Sequence, residues 1–356
     1  MEDEIFTAVG RPNIAFIKYW GKRDGKLNLP FNSSLSLTLG GKGSPIITIT
    51  SVMFTDKIRD DVFYIDGKKE IPKGGVVEML RSLAGTSKKI FMVSQDSFPK
   101  SAGLASSASG SATLACAASN ALGLKLSDRE LSIAARFGSG SASRSVFGGI
   151  VEWHRGDAKD GSDSYAEQIA DENFWPELVD VIGIVSGEKK KVSSDEGHLR
   201  TPRTSQFFAS RPAIAEESLR RILPVIKAKD FNAMAEIIMR DSNSMHASML
   251  DSWPSINYLN DRALSVMSEV ERINRETGEN VAAYTFDAGP NPHIITTRGR
   301  RNEIRDLLAR SGCTDVFDSA PGRGPVEVTD VSLIGSGMTP GELTKSELEE
   351  IARRYV

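Results

Sequence analysis

The chain has 356 residues, enough for two domains that each bury a core. Lysine plus arginine total 44 against 47 aspartate plus glutamate, a net charge of −3, which argues against a general nucleic-acid or membrane-surface binder. Cys116 and Cys313 lie far apart with no metal-type spacing, and no apolar run approaches the length of a membrane span.

From the amino end, Met1-Glu2-Asp3-Glu4 is acidic with no apolar stretch behind it, so no signal peptide is read and a reducing, cytoplasmic setting is expected. Residues 46–54 are rich in β-branched side chains and predict a strand; 89–94 predict another. Residues 99–113 are a run of tiny side chains leading into a helix from about Ala108, with Gly123 as its breaker and Cys116 buried within it. Ser127-Asp-Arg-Glu130 is a capping-box pattern that opens a helix toward Phe137. Buried strands are expected at 149–153 and 179–185, and mainly helix from 211 to 277. Strands at 281–286 and 293–297 flank Asp287-Ala-Gly-Pro-Asn291, and a helix covers 301–310. The polar stretches 156–163 and 189–202 read as linkers, and Trp153, Trp175 and Trp253 as core. This mixed order fits two α+β domains with a cleft between them.

Four groups of residues carry chemistry. The 99–113 run leaves backbone N–H groups uncovered, and the first turn of the helix behind it adds unpaired donors and the positive dipole end, which suits a phosphate chain. A tight helix entry built only for close packing has the same composition; no Gly-Lys-Ser/Thr follows, so it is not a Walker loop. Lys18, Tyr19 and Lys22 crowd beside Trp20, either to bind a phosphate or diphosphate or as a solvated basic turn. Ser139, Ser141 and Arg144 share a Gly/Ser loop, where the guanidinium is shaped for a carboxylate or simply pairs at the surface. Asp287 closes a strand before a sharp turn, a place for catalysis or for bonding to local amides. The histidines (His154, His198, His246, His293) show no ligand spacing, and the 241–246 stretch reads as a helical face that packs and hydrogen-bonds.

Pro-x-x-x-Gly-Leu-x-Ser-Ser-Ala, beginning at Pro99, resembles the phosphate loop of the GHMP kinase superfamily. With Ala105 where many of those kinases have Gly, it is similar to the diphosphomevalonate decarboxylase branch. Three further blocks resemble that branch in the same order: residues 13–24 with 29–36, residues 138–149, and Tyr284-Thr-Phe-Asp-Ala-Gly-Pro-Asn291. The resemblance implies an α+β, two-domain GHMP kinase fold. Residues 1–185 would form a β-sheet-plus-helices domain that binds ATP and phosphate. Residues 186–356 would form a ferredoxin-like domain, with the active site in the cleft between the two. It further implies ATP and Mg²⁺ as cofactors, with ATP on Gly103, Leu104, Ala105, Ser106, Ser107, Ala108 and Ser109. Asp287, Arg144 and Lys18 would be catalytic, and Asn13, Tyr19, Lys22, Ser139, Ser141 and Ser194 would bind a phosphorylated mevalonate, with Lys18 and Lys22 anchoring its diphosphate end. No metal ligand is assigned, and a homodimer is expected.

The chain departs from that pattern after Ser194. Most relatives continue with a neutral or basic residue and then Gly-Met, whereas this one reads Asp195-Glu196-Gly197-His198. Two acids near an anionic substrate weaken binding unless they face away, so the phosphorylation of the substrate stays open. The segment 39–45 also lacks the polar-acidic sequence common after the Ser-Leu-Ser block. The first expectation is ATP-dependent decarboxylation of mevalonate 5-diphosphate. The second is decarboxylation of mevalonate 3,5-bisphosphate without ATP, or of mevalonate 5-phosphate with it. A kinase that stops after phosphorylation, or a non-catalytic binder, comes last.

Overall fold

The computed structural model describes residues 3–71, 75–98, 106–185 and 191–355. The first unit is built on a six-stranded sheet in the order Val326–Val328, Phe6–Gly10, Thr48–Thr55, Lys89–Asp96, Val62–Ile65, Lys68–Glu70. Its neighbours are antiparallel except Val62–Ile65 beside Lys89–Asp96, which run parallel. Ala8, Val52, Phe54 and Met92 on one face pack against the helices Gly75–Ala84, Ser106–Ala121 and Asp128–Gly138. Ser106–Ala121 is composed largely of Ala, Ser and other small residues, so it packs closely on the sheet. Gly10 is required for this approach, because a Cβ there would fall 2.1 Å from Thr113 Oγ1. The helix gives way to a left-handed Gly123, and Asp128–Gly138 opens with the expected capping box of Ser127 and Glu130.

A second sheet of the same unit runs Ala166–Ala170, Ile150–Trp153, Ser34–Thr38, Asn13–Ile17. The third sheet, Ala282–Thr285, His293–Thr297, Leu178–Ile184, Asp315–Ser319, belongs to the second unit. Ile14, Phe16, Leu35 and Leu37 of the second sheet share one core with Leu178, Ile182 and Ile295 of the third. The helices Arg211–Lys227 and Phe231–Leu250 complete that core through Leu219, Ile222, Met234 and Ile238. The outer face of the third sheet is closed by Asp261–Thr277 and Arg301–Arg310 through Val266, Val270, Ile304 and Leu308.

Several expectations need correction. The strand Leu178–Ile184 belongs to the second unit's sheet, so the chain changes over just before it, within about a dozen residues of the expected boundary near 185. Residues near the carboxyl end return to the first unit: Val326–Val328 pairs with Phe6–Gly10, and the helix Lys345–Arg354 covers its sheet through Leu348 and Ile351. Buried Arg11 ties this return down, donating to Tyr355 O at 2.5 Å. The 156–163 stretch is no linker but the connection of a hairpin, held by Arg136 Nη1 donating to Gly161 O at 2.8 Å. Of the 189–202 stretch, residues 191–202 are described, and most of them lie in the helix Ser194–Thr204, whose cap Ser193 accepts from Glu196 N. Trp153 and Trp175 are buried, but Trp253 is 79% exposed. Among the described residues no helix is long and apolar enough to cross a membrane.

Candidate active site

The site forms where the turn after strand Asn13–Ile17 meets the second unit. Asp241, on helix Phe231–Leu250, accepts from Lys18 N at 2.7 Å and from Arg211 Nη2 at 2.8 Å. Asp241 and Arg211 are both buried, and a buried ion pair persists only with such additional hydrogen bonds. Asn32 Nδ2 donates to Lys18 O at 3.0 Å, so the backbone of Lys18 is held on both sides. Further along the same helix, Ser242 Oγ accepts from Phe286 N at 3.1 Å and His246 Nε2 lies 3.3 Å from Phe286 O. The 241–246 stretch therefore packs and bonds as expected, and what it positions is the Lys18 turn and the Asp287 turn.

Across this junction Lys18 Nζ donates to Asp287 Oδ1 at 2.7 Å. Lys18 is 1% exposed and Asp287 31%, so of the pair only the carboxylate is partly open to solvent. The ammonium expected to join Lys22 at the distal phosphates is paired here with Asp287. Burial pushes the Asp287 carboxyl up, but the charges of Lys18, His293 and Arg144 outweigh it and hold the group below the usual carboxylate range. Asp287 is thus an anion at neutral pH, and its carboxylate is turned to Lys18 rather than to local turn amides.

Arg144 is buried on a short helix, Ala142–Ser145, rather than on a loop. Its Nη1 donates to Ser34 Oγ at 2.6 Å, and its Nη2 and Nε to Asn13 Oδ1 at 3.1 and 3.3 Å. Asn13 is itself fixed, donating to Ser145 Oγ at 2.7 Å and Ser141 O at 3.1 Å. Of five guanidinium N–H groups, one on each terminal nitrogen remains for a ligand, the fork a carboxylate needs. Burial pulls the Arg144 guanidinium down to about 10, with Asp287 and Tyr19 opposing, so it stays charged.

Beside this core lies a hydroxyl- and amine-lined wall. Tyr19 stacks on His198 at 4.3 Å between ring centroids and meets Trp153 edge-on at 4.8 Å. Its phenol oxygen is buried without a hydrogen-bond partner among the described residues. Gly140 passes directly against it, where a Cβ would fall 2.7 Å from Tyr19 Oη. On either side of Gly140, Ser139 Oγ and Ser141 Oγ are 3.2 Å apart, and Ser139 Oγ lies 3.4 Å from Ser107 Oγ at the start of helix Ser106–Ala121. Lys22 Nζ pairs with Asp195 Oδ1 at 2.9 Å. Ser194 is exposed on the first turn of the same helix as Asp195.

Of the expected nucleotide loop, Gly103, Leu104 and Ala105 lie outside the described residues. Ser106 is tied to Asp96, Ala108 and Ser109 are buried, and Ser107 is exposed. Small side chains at the start of this helix suit a nucleotide phosphate chain at its N-terminus. Among the described residues no group of three His, Cys, Asp or Glu could hold a metal ion. Mg²⁺ carried by substrate phosphates, water and one or two protein oxygens needs no such cage.

Several site residues carried no role in the sequence reading. Ser34 and Ser145 position Arg144 and Asn13, and Asp241 with Arg211 holds Lys18. His198, where Met is usual, accepts from Gly21 N at 3.0 Å, and burial pulls it down to about 3, so it is a neutral wedge between Tyr19 and Trp20. Asp180 and His293 form a buried pair at 2.6 Å behind Asp287. Ser34 and Ser145 had a signal in their places within the 29–36 and 138–149 blocks, Asp241 in the 241–246 face, and His198 in its departure from the family pattern.

Comparison with known proteins gives mutually consistent matches. The diphosphomevalonate decarboxylase-like N-terminal domain family matches residues 10–166, and the mevalonate 5-diphosphate decarboxylase C-terminal domain family matches 180–325. The chain is 42% identical to diphosphomevalonate decarboxylase of Saccharomyces cerevisiae over 98% of its own length and 93% of the relative. It is 44% identical to the Aspergillus fumigatus enzyme over 81% of its length and 76% of the relative. A solved structure of mevalonate diphosphate decarboxylase from Staphylococcus aureus superposes with a TM-score of 0.84 at 35% identity, covering 92% of this chain and 98% of that one. A second, of MDDEF in complex with MVAPP, AMPPCP and magnesium, gives 0.83 at 35% identity over 91% and 98%.

Proposed function

The chain belongs to the diphosphomevalonate decarboxylase family, and we propose that it converts mevalonate 5-diphosphate and ATP into isopentenyl diphosphate, ADP, phosphate and CO₂. The observation that carries this reading is the Lys18–Asp287 pair at the cleft, with the guanidinium of Arg144 locked beside it and two of its N–H groups left over. The 3-hydroxyl of the substrate lies against Asp287 and attacks the terminal phosphoryl group of ATP, the bond to ADP breaking and the hydroxyl proton passing to the phosphoryl oxygens and on to solvent. Phosphoryl transfer through a loose transition state asks for positioning and charge neutralisation rather than a strong base. An aspartate held ionised by Lys18 meets that requirement by orienting and polarising the hydroxyl. The start of helix Ser106–Ala121 would hold the nucleotide phosphates, and Mg²⁺ bound with them would supply charge neutralisation.

The new C3–O bond then breaks, and phosphate leaves with the electron pair. The C1–C2 bond supplies the electrons of the new double bond, so the substrate carboxylate departs as CO₂. Arg144 orients that carboxylate, and because three of its N–H groups are engaged by Asn13 and Ser34 it offers a fork without its full donor set. Tyr19, Lys22, Ser139, Ser141 and Ser194 receive the 5-diphosphate, and Ser106 to Ser109 with Gly103, Leu104 and Ala105 receive ATP. On resemblance alone the chain acts as a homodimer in the cytoplasm.

The test supplies purified protein with mevalonate 5-diphosphate and Mg-ATP and follows CO₂ and ADP together. The expected result is one CO₂ per ADP. ADP without CO₂ would make it a kinase. CO₂ from mevalonate 3,5-bisphosphate without nucleotide, and none from the 5-diphosphate, would leave only the elimination half.

A further inference from the structure

The two acids that follow Ser194 have different fates. Glu196 is turned along its own helix onto Arg200, four residues on. Asp195 faces the site and takes Lys22, whose side chain is only 9% exposed. Its position is not incidental to a mobile helix end. Ser193 caps that helix, His198 accepts from Gly21 N at 3.0 Å, and Gly197 lies so close to Trp20 that a Cβ would fall 2.6 Å from Cζ2. The first turn is therefore bolted to the Tyr19–Lys22 turn. Next to burial, the Asp195 charge is what pushes the Tyr19 phenol up, so the carboxylate acts on the same wall of hydroxyls.

We propose that Asp195 is a specificity-determining residue. By engaging the Lys22 ammonium it cancels the positive charge offered to the outer phosphate of the 5-substituent, and so narrows the preference for a 5-diphosphate over a 5-monophosphate. This rests on the reading above that Lys22 serves the 5-phosphates. A diphosphate carries about one more negative charge than a monophosphate near neutral pH and reaches further out. Its outer phosphate must compete with Asp195 for Lys22 and lie beside a like charge; a monophosphate, held by Tyr19, Ser139 and Ser141, meets less of this repulsion. Specificity set by a repulsive group is a difference in affinities, so the readout is a ratio.

The experiment titrates mevalonate 5-phosphate and mevalonate 5-diphosphate calorimetrically into the full-length wild type, Asp195→Asn and Glu196→Gln, without nucleotide. Asp195→Asn keeps the shape and removes the charge; Glu196→Gln removes a charge from the same helix turn and reports any purely structural or dipole effect. The expected result is a preference for the diphosphate that rises about two- to fivefold in Asp195→Asn, as removal of one largely exposed charge implies, and stays unchanged in Glu196→Gln. An unchanged ratio in Asp195→Asn, an equal change in both variants, or no binding of either compound to any of the three proteins overturns the proposal. Turnover is measured separately, so a wild type that binds but releases no CO₂ with Mg-ATP defeats the proposed reaction and leaves this inference standing.

Discussion

Replacing Arg144 with lysine keeps a positive charge and tests whether the planar fork matters. The guanidinium is fixed by Ser34 Oγ at 2.6 Å and by Asn13 Oδ1 at 3.1 and 3.3 Å. A lysine ammonium, ending short of the guanidinium, reaches at most one of these oxygens. Two bonds to a charged group are lost, each about 1.5–3 kcal/mol, and one buried acceptor is left unpaired. Even if only about 3 kcal/mol of this is felt at the substrate carboxylate, kcat/KM falls roughly 100-fold at about 1.4 kcal/mol per decade. The assay is CO₂ release at subsaturating substrate, with urea unfolding in parallel to separate misfolding from misplacement. A variant with kcat/KM within about threefold of wild type would refute the argument, because the paired N–H geometry would then contribute nothing.

Asp287→Asn preserves size but removes the anion beside the substrate hydroxyl. Its kcat is expected to fall roughly 10²–10⁴-fold while calorimetric affinity for mevalonate 5-diphosphate changes little, and an equal loss in both would point to misfolding instead. Gly140→Ala puts a methyl group 2.7 Å from Tyr19 Oη, so the phenol must move. KM for the 5-phosphorylated substrate should rise about tenfold or more, and an unaltered KM would remove Tyr19 from the substrate wall. His154 sits between Glu152 and Glu167 at 3.0 Å each, and bonding to Glu152 first of all raises it to about 9. A raised folded value means the stabilisation is complete below the unfolded value near 6.5 and is lost as pH rises through about 9. The melting temperature of wild type should therefore exceed that of His154→Gln at pH 6 and converge with it by about pH 10; a gap independent of pH would assign the effect to packing.

Local signals in the chain were legible because they act over a few residues. The Ser127–Glu130 capping box and the β-branched run within Thr48–Thr55 need no partner to be read. Ser193 and Glu196 carry the same kind of signal, yet the polarity of that stretch read as a linker, although one face of the helix buries Gly197, His198 and Thr201. The Asp287 turn and the Arg144 segment were found through their unusual strings. What those side chains touch was not legible, because the partners are remote in sequence. Asn13, opposite Thr38, and Ser34, opposite Trp153, lie on one sheet where both meet Arg144 of the Ala142–Ser145 helix, and the contact between units brings Lys18 to Asp287. Asp195 shows both sides: its departure was visible in the sequence, and its grip on Lys22 only in the fold.

The central claim is that one cleft phosphorylates a tertiary alcohol and then expels that phosphate as CO₂ departs. It is tested most directly by placing oxygen-18 in the 3-hydroxyl of mevalonate 5-diphosphate and turning it over with unlabelled Mg-ATP. If Asp287 orients that hydroxyl for phosphoryl transfer, the label is carried into inorganic phosphate, one atom per CO₂ released. Label recovered in water instead, with phosphate unlabelled, would mean that the hydroxyl leaves without being phosphorylated and would contradict the account.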